Sequence, residues 1–184
     1  MLDALIPLDP AAGALAPIEA EKAAALRRSE LVAIEVADLV EVEDGFRLMV
    51  RRSKTDQEGH GVEVPVLRGT RLRPVAAVRD WMQASGITEG LLFRSIQRGG
   101  MVKPAGLRGV DVARAVKHYA ALAGLDAAAM SGHSLRSGFC TSSAEAGASI
   151  FSIMNVSRHK SVDVLRGYVR SADLFKDAAG AAFL

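Results

Sequence analysis

The spacing of four polar residues in the last third of the 184-residue chain constrains its fold more than any other feature. His133 and Arg136, in S-G-H-S-L-R-S-G-F, are three positions apart and share one face if the segment is helical. His159 precedes Tyr168 by nine positions, and at about 100° per residue an unbroken helix would put these side chains on opposite faces. A helix break between them is therefore required if they serve one site, and the hydroxyl of Ser161 is well suited to start the new helix.

The chain as a whole is predicted to be mainly α with a small antiparallel β-sheet, an α+β class. A first helix is predicted from Pro17 through E-A-E-K-A-A-A-L-R-R-S-E-L, ending before Ala37 and containing Arg27. Apolar runs bounded by turn signals predict short strands at 39–42, 46–52 and 62–66. Further helices are predicted at 72–84 with Trp81 in the core, at 110–123, from Ser134, Ser149 and Ser161 onward, and at 172–184.

Two further fragments complete a pattern of six polar residues. Arg27 lies in L-R-R-S-E-L, and Lys54 lies in R-S-K-T-D-Q-E-G beside the turn between the last two predicted strands. Each fragment alone is explained as well by an ordinary surface or half-buried residue, because short motifs often match by chance. As an ordered set, they resemble the catalytic domain of the tyrosine recombinase (phage integrase) family, from about residue 25 to the end of the chain. The resemblance implies the DNA breaking-rejoining enzyme fold and the catalytic residues Arg27, Lys54, His133, Arg136, His159 and Tyr168.

The chemistry of phosphodiester cleavage explains why these residue types belong together. Negative charge develops on the non-bridging oxygens, and planar guanidinium groups such as those of Arg27 and Arg136 can each meet two oxygens. Preorganised donors in a site shielded from water commonly contribute a few kcal/mol each to transition-state stabilisation. We expect His159 to add another donor to this clamp.

Tyr168 is the expected nucleophile. A free phenol has a pKa of about 10, so attack at neutral pH needs a base or a strongly positive field, which His133 and the two arginines could supply. Lys54 is the candidate acid for the departing 5′-oxygen. The resemblance implies a covalent 3′-phosphotyrosyl intermediate, resolved by a 5′-hydroxyl of another strand, with no cofactor. No metal site is expected, because no cluster of carboxylates accompanies the histidines and Cys140 is the one cysteine.

Double-stranded DNA is the expected partner, although the net charge is only +2 and the pI is near 8.9. Any basic surface must therefore be local. The residues expected to contact DNA phosphates are Arg94, Arg98, Lys103, Arg108, Arg114 and Lys117, each of which is equally well explained as a solvated cation. The resemblance implies a homo-oligomer on DNA, a synaptic tetramer, with a monomer in free solution as the alternative.

The expected domain organisation is an irregular segment at 1–16 followed by a catalytic domain at 17–184, with the family's N-terminal core-binding domain absent. A single cysteine, no secretory segment and no membrane-spanning apolar run indicate a cytoplasmic protein. The sequence departs from the family pattern in two places. The segment before Arg27 is charged where an apolar helix is usual, and Arg158 replaces the glycine that frequently precedes the second histidine, adding a cation near the site.

Two functional interpretations remain open on the sequence. The intact set of six residues favours a site-specific recombinase or integrase that breaks and rejoins DNA. The absent domain and the weak net charge favour a catalytically silent remnant or accessory DNA-binding module of a mobile element. A relaxing topoisomerase with the same nucleophile is a third interpretation, which the resemblance supports less well.

Overall fold

The computed structural model describes residues 12–51, 61–97 and 100–169, and within these ranges the chain is mainly helical with two small antiparallel sheets. This arrangement confirms the predicted fold class. The elements are α1 (Ala12–Ala23), α2 (Arg28–Leu31), a 3₁₀ turn (Val36–Asp38), β1 (Leu39–Val42), β2 (Gly45–Val50), β3 (Val62–Leu67), α3 (Pro74–Ser85), β4 (Arg94–Ile96), β5 (Val102–Gly106), α4 (Gly109–Leu122), α5 (Ser134–Glu145), α6 (Ile150–Ser157) and α7 (Val162–Val169). None of the helices in these ranges is long and apolar enough to cross a membrane.

The larger sheet has the order β1-β2-β3, and its three strands lie where the sequence predicts them. Phe46 pairs with Val66 and Leu48 with Val64, so that buried side chains of neighbouring strands share one face. This face packs on α1 and α3, where Trp81 is buried and its Nε1 donates a hydrogen bond to the carbonyl of Leu92 at 2.7 Å. Trp81 is therefore a core residue, as predicted.

The second sheet, β4-β5, was not predicted by the sequence. Its strands are short, and V-K-P-A-G in β5 contains the turn-forming residues Pro104 and Gly106. The two ends of the hairpin are joined to each other next to the hydrophobic core. The backbone N–H of Leu107 donates to the carbonyl of Phe93, which is itself 1% exposed.

The predicted first helix is wrong at both ends. It begins at Ala12 rather than Pro17, and the buried ring of Pro17 lies inside it, where packing must offset a cost of roughly 3 kcal/mol. It also stops at Ala23, because Ala25 adopts a left-handed conformation with φ of 47°. The N–H of Leu26 then donates to the carbonyl of Glu21, which is the six-to-one hydrogen bond of a Schellman helix stop.

The charged segment of α1 is buried rather than solvated. Glu19 and Glu21 are 7% and 0% exposed, and both carboxylate oxygens of Glu21 lack a hydrogen-bond partner within the described residues. Burial raises the pKa of Glu21 to about 8, against the opposing effect of the Arg28 charge. The Glu21 carboxyl is therefore largely protonated at neutral pH.

We predict that the free energy of unfolding falls as the pH rises from about 4.5 to about 8. Between these two values, Glu21 is ionised in the unfolded chain but protonated in the folded one. Its contribution to the free energy of unfolding is therefore complete below the unfolded pKa and is lost as the pH rises through the folded pKa. Glu21→Gln should remove this slope and raise the free energy of unfolding at about pH 8 by a few kcal/mol. Urea denaturation across this range measures the effect, with Glu89→Gln in an exposed loop as the control. Parallel slopes for the wild type and Glu21→Gln would contradict the burial of this carboxyl.

Candidate active site

Arg27 stands at the chain break between α1 and α2, in extended backbone with φ of −81° and ψ of 150°, and not inside a helix as predicted. The Schellman stop at Ala25 causes this difference. The carboxylate of Glu30, 1% exposed, accepts the backbone N–H of Arg27 at 2.8 Å and its guanidinium at 2.6 Å. Glu30 thereby caps α2 and fixes the direction of the Arg27 side chain.

Arg136 reaches the same break from the first turn of α5. It is 6% exposed, and its Nη1 donates a hydrogen bond to the carbonyl of Ala25. Its Nη2 is buried and lacks a hydrogen-bond partner within the described residues. Burial, followed by the charges of Arg27 and Arg158, lowers the pKa of Arg136 to about 10, so the side chain still carries its charge at neutral pH.

Arg158 is a third guanidinium in this cluster, and the sequence indicated only that a cation lay nearby. It ends α6 with φ of 56°, the left-handed conformation that usually selects glycine. Its side chain, 7% exposed, donates to Glu30 Oε2 at 2.6 Å and to the carbonyl of Ala24 at 3.3 Å. Burial by itself would raise the pKa of Glu30, but the hydrogen bonds and charges of Arg27 and Arg158 hold it below its usual value.

His159 follows directly and is held by a serine that sequence reasoning missed. Its Nδ1 lies 2.8 Å from the hydroxyl of Ser157, a residue with no exposed surface. Burial, followed by the charges of Arg136, Arg27 and Arg158, lowers the pKa of His159 to about 4. The imidazole is therefore neutral at physiological pH, and Nε2 is the ring nitrogen left for a ligand.

Tyr168 lies beside His159, with ring centroids 6.4 Å apart. The predicted helix break is confirmed, because α6 ends at Ser157 and α7 begins at Val162. Leu165 of α7, three residues before Tyr168, is fully buried against α5 and α6. It therefore anchors the face of α7 that carries the tyrosine. The Tyr168 hydroxyl lies 3.3 Å from that of Ser137, the residue after Arg136.

Of the two remaining predicted site residues, the structure describes His133 but not Lys54. His133 is the N-cap residue of α5 and its side chain is exposed, whereas Arg136 on the same turn is buried, so the two do not share one environment. A Cβ at Gly132 would lie 1.9 Å from Cδ of Arg28, so a larger residue there would require the Arg28 side chain to move. Lys54 lies outside the described residues.

The cations expected to contact DNA occupy different settings. Lys103 on β5 and Lys117 on α4 are exposed. Arg108 and Arg114 are also exposed, but both form ion pairs with Asp111. Arg94 is half-buried and donates hydrogen bonds to the carbonyls of Leu91 and Glu89. Arg98 lies outside the described residues. Arg94 therefore braces the loop before β4, a role that its sequence context did not indicate.

The cluster can bind an anion beside a tyrosine hydroxyl. Three guanidinium groups surround one carboxylate, which leaves an excess of positive charge next to a neutral imidazole. Within the described ranges, no group of His, Cys, Asp and Glu side chains could hold a metal ion. The arginines and His159 can supply hydrogen-bond donors that stabilise negative charge.

Fold and site together define a mainly helical domain in which a cluster of arginines lies beside a histidine and a tyrosine. The chain belongs to the phage integrase family, whose model matches residues 14–174. An integrase/recombinase xerD homolog from Selenomonas ruminantium is 38% identical over 159 residues, covering 85% of this chain and 47% of the relative. Recombinase cre of Escherichia phage P1 is 30% identical over 164 residues, covering 80% and 46%. The chain spans about half the length of these curated relatives.

Solved structures show the same fold. The post-cleavage complex of XerH site-specific recombinase with palindromic difH substrate matches with a TM-score of 0.74 at 15% identity, covering 98% of this chain and 49% of that one. XerA recombinase matches with a TM-score of 0.71 at 18% identity, covering 96% and 60%. The tyrosine recombinase fold inferred from the sequence is thereby confirmed.

We predict that His159 stays neutral down to about pH 4. The test is an NMR titration of its ring signals, which are assigned with His159→Gln. Arg136→Met should raise the pKa of His159, because it removes the largest of the three neighbouring charge effects. Arg166→Met on the exposed face of α7 is the matched control and should leave the titration unchanged. A wild-type His159 that titrates near its usual value of 6.5 would refute its burial among these cations.

Proposed function

We propose that this chain is the catalytic part of a site-specific recombinase that breaks and rejoins double-stranded DNA through Tyr168. The observation that carries the proposal is the clustering of Arg27 and Arg136 close enough to His159 for their charges to lower its pKa, with Tyr168 beside His159. A phosphate held by the two guanidinium groups would lie within the reach of the tyrosine hydroxyl.

The proposed reaction exchanges one phosphate ester for another. The Tyr168 Oη forms a bond to phosphorus and the bond from phosphorus to the deoxyribose 5′-oxygen breaks, which leaves a 3′-phosphotyrosyl ester. The phenol proton passes to a base, for which His133 is the candidate, and Lys54 delivers a proton to the 5′-oxygen. A 5′-hydroxyl then attacks the ester and releases the tyrosine, so the bond energy is conserved without a cofactor.

The positive charges of Arg27, Arg136 and Arg158 would stabilise the negative charge that develops on the phosphate oxygens. Nη2 of Arg136 is a buried donor without a partner in the part of the chain that the structure describes, and Arg27 is held in place by Glu30. The neutral His159 can donate through Nε2 if the Ser157 hydroxyl donates to Nδ1. Such donors need no reorganisation during the reaction, which is the main source of their effect.

We further propose that DNA is bound by exposed cations of β5 and α4, which include Lys103 on β5 and Lys117 on α4. The proposed active form is a homo-oligomer on DNA. XerH, a structural neighbour, was captured bound to its difH substrate before and after cleavage. Residues 17–184 form the proposed catalytic domain. Because the proposed substrate is cellular or mobile-element DNA, we place the activity in the cytoplasm.

Tyr168→Phe should abolish a covalent protein–DNA adduct that the wild type forms. The substrate is a pool of nicked duplexes with a randomised core. Cleavage near the nick releases a short product that diffuses away, which traps the phosphotyrosyl ester. The adduct is then measured on a denaturing gel. Tyr119→Phe, at the other tyrosine of the chain, is the matched control and should retain the adduct. Absence of an adduct with the wild type, together with retained DNA binding, would favour a silent DNA-binding module instead.

Lys54→Ala should slow adduct formation by about 100-fold or more, because the 5′-oxygen then leaves without a proton. A substrate with sulfur in place of that bridging oxygen needs little protonation, so cleavage by the same variant should recover toward the wild-type rate. The measurement is the single-turnover rate on matched oxygen and sulfur substrates. An equal loss on both would assign Lys54 to binding rather than to proton transfer.

A further inference from the structure

The hydroxyl of Ser157 lies between the side chains of His159 and Cys140. Its oxygen is 2.8 Å from Nδ1 of His159, and it also forms a hydrogen bond with the Cys140 thiol. Ser157 and Cys140 have no exposed surface, so these contacts are made away from bulk water. Because Cys140 belongs to α5 and Ser157 ends α6, the contacts join two helices at the candidate site.

The thiol end of this chain of contacts is a hydrogen-bond donor. Cys140 lies four residues after Arg136 on α5, which is one turn along the same helix face. It packs with Ile153 of α6 and Leu165 of α7 in one apolar cluster. Burial raises the pKa of the thiol, against the opposing effect of the Arg136 charge, so the sulfur keeps its proton at neutral pH.

The other end is a neutral imidazole, which carries a single ring proton. Burial and the charges of Arg136, Arg27 and Arg158 lower the pKa of His159 and keep the ring in this state at neutral pH. The proton lies on Nδ1 or on Nε2, and the hydrogen bond made by one nitrogen decides the state of the other. Since Ser157 contacts Nδ1, the direction of that hydrogen bond sets what Nε2 presents to a ligand.

The inventory of donors and acceptors favours one direction. If the thiol donates to the Ser157 oxygen and the Ser157 hydroxyl donates to Nδ1, each of these buried protons has an acceptor. In the opposite direction, Nδ1 donates to the serine oxygen, and the hydroxyl proton is left with the sulfur, which is a weak acceptor. A buried donor without a good acceptor is costly, so the first arrangement is the more stable one.

We propose that Ser157 is a positioning residue whose hydroxyl, oriented by the Cys140 thiol, donates to Nδ1 of His159 and holds the ring proton on Nε2. Nε2 then presents a donor to an oxyanion, whereas the other tautomer would present a lone pair that repels it. Ser157 and Cys140 are fully buried, so they act through His159 rather than on the anion itself. The proposal rests on the proposed function only in taking this oxyanion to be a DNA phosphate.

The ¹⁵N chemical shifts of the His159 ring show which nitrogen carries the proton. The measurement is made at about pH 7, well above the His159 pKa of about 4, so that the ring is neutral. The wild type should show one tautomer, with the proton on Nε2. Ser157→Ala should show a mixture of both tautomers, because Nδ1 loses its donor. Ser142→Ala on the exposed face of α5 is the matched control and should keep the wild-type tautomer.

The same samples test the link to anion binding. If only the form with a proton on Nε2 donates to the anion, the apparent dissociation constant for inorganic phosphate rises in inverse proportion to the fraction of that form. An equal mixture of tautomers in Ser157→Ala should therefore weaken phosphate binding by about twofold. The dissociation constant is measured from the His159 ring shifts during a phosphate titration. A mixture of tautomers with unchanged affinity, or no phosphate binding by the wild type, would overturn the role in anion binding.

Two substitutions of Cys140 test the part played by the thiol. Cys140→Ala leaves the Ser157 hydroxyl without the donor that orients it, so the ring should gain a smaller fraction of the Nδ1 tautomer than in Ser157→Ala. Cys140→Ser keeps a donor at this position and should retain the wild-type tautomer. An unchanged tautomer ratio in a folded Cys140→Ala variant would overturn the role of the thiol.

The outcomes for Ser157 and for the proposed function are distinct. A wild-type ring with its proton on Nδ1 overturns the proposal, and this measurement does not depend on the folding of any variant. An unchanged tautomer in folded Ser157→Ala overturns it as well. None of these samples contains DNA. A proton on Nε2 that depends on Ser157, together with no DNA adduct from the wild type, would refute the recombinase activity and leave the role of Ser157 standing.

Discussion

One buried carboxylate, that of Glu30, holds the candidate site together. Two guanidinium groups donate to it directly, and that of Arg136 is tied to the neighbouring carbonyl of Ala25. Three neighbouring cations without an acid between them would repel one another, and a buried acid without cations would be an unpaired charge costing several kcal/mol. Each partner therefore makes the burial of the others tolerable, and the charge left over is positive.

The carboxylate can occupy this place only because the chain breaks just before it. The stop at Ala25 turns the carbonyls of Ala24 and Ala25 away from the helix and toward Arg136 and Arg158. Ala25 and Arg158 are both non-glycine residues with positive φ, each at a cost of about 1 kcal/mol or more. The Arg158 side chain donates hydrogen bonds to the carbonyls of Ala24 and Ala25. These contacts between the two segments help to offset the cost of both strained backbone conformations. Strain of this kind, concentrated at a charged cluster, is common where geometry serves function.

The parts of this arrangement that the sequence could predict are those fixed by local rules. Periodicity required a break between His159 and Tyr168, and turn residues delimited β1, β2 and β3, all of which the structure confirms. The end of α1 could not be predicted, because alanine has the highest helix propensity and only tertiary partners make it adopt the left-handed conformation at Ala25. The same limit applies to Arg158 and Ser137, whose partners Glu30 and Tyr168 are distant in sequence. The shared helix face predicted for His133 and Arg136 requires both residues to lie within a helix, and α5 begins after His133.

The neutral state of His159 follows from the same excess of positive charge and has a consequence for ligand binding. Proton binding at His159 is opposed by burial and by three arginine charges, which bring its pKa to about 4. A phosphate in the pocket would cancel part of that positive field, so it would raise the affinity of the imidazole for a proton. By linkage, protonation of His159 must then strengthen phosphate binding by the same factor. Nη2 of Arg136 is buried and has no hydrogen-bond partner among the described residues, so the cost of its desolvation is already present in the free protein and an anion that accepted its hydrogen bond would bind more tightly. The fold thus keeps an excess of positive charge beside a neutral imidazole, and an oxyanion that bound there would offset this charge.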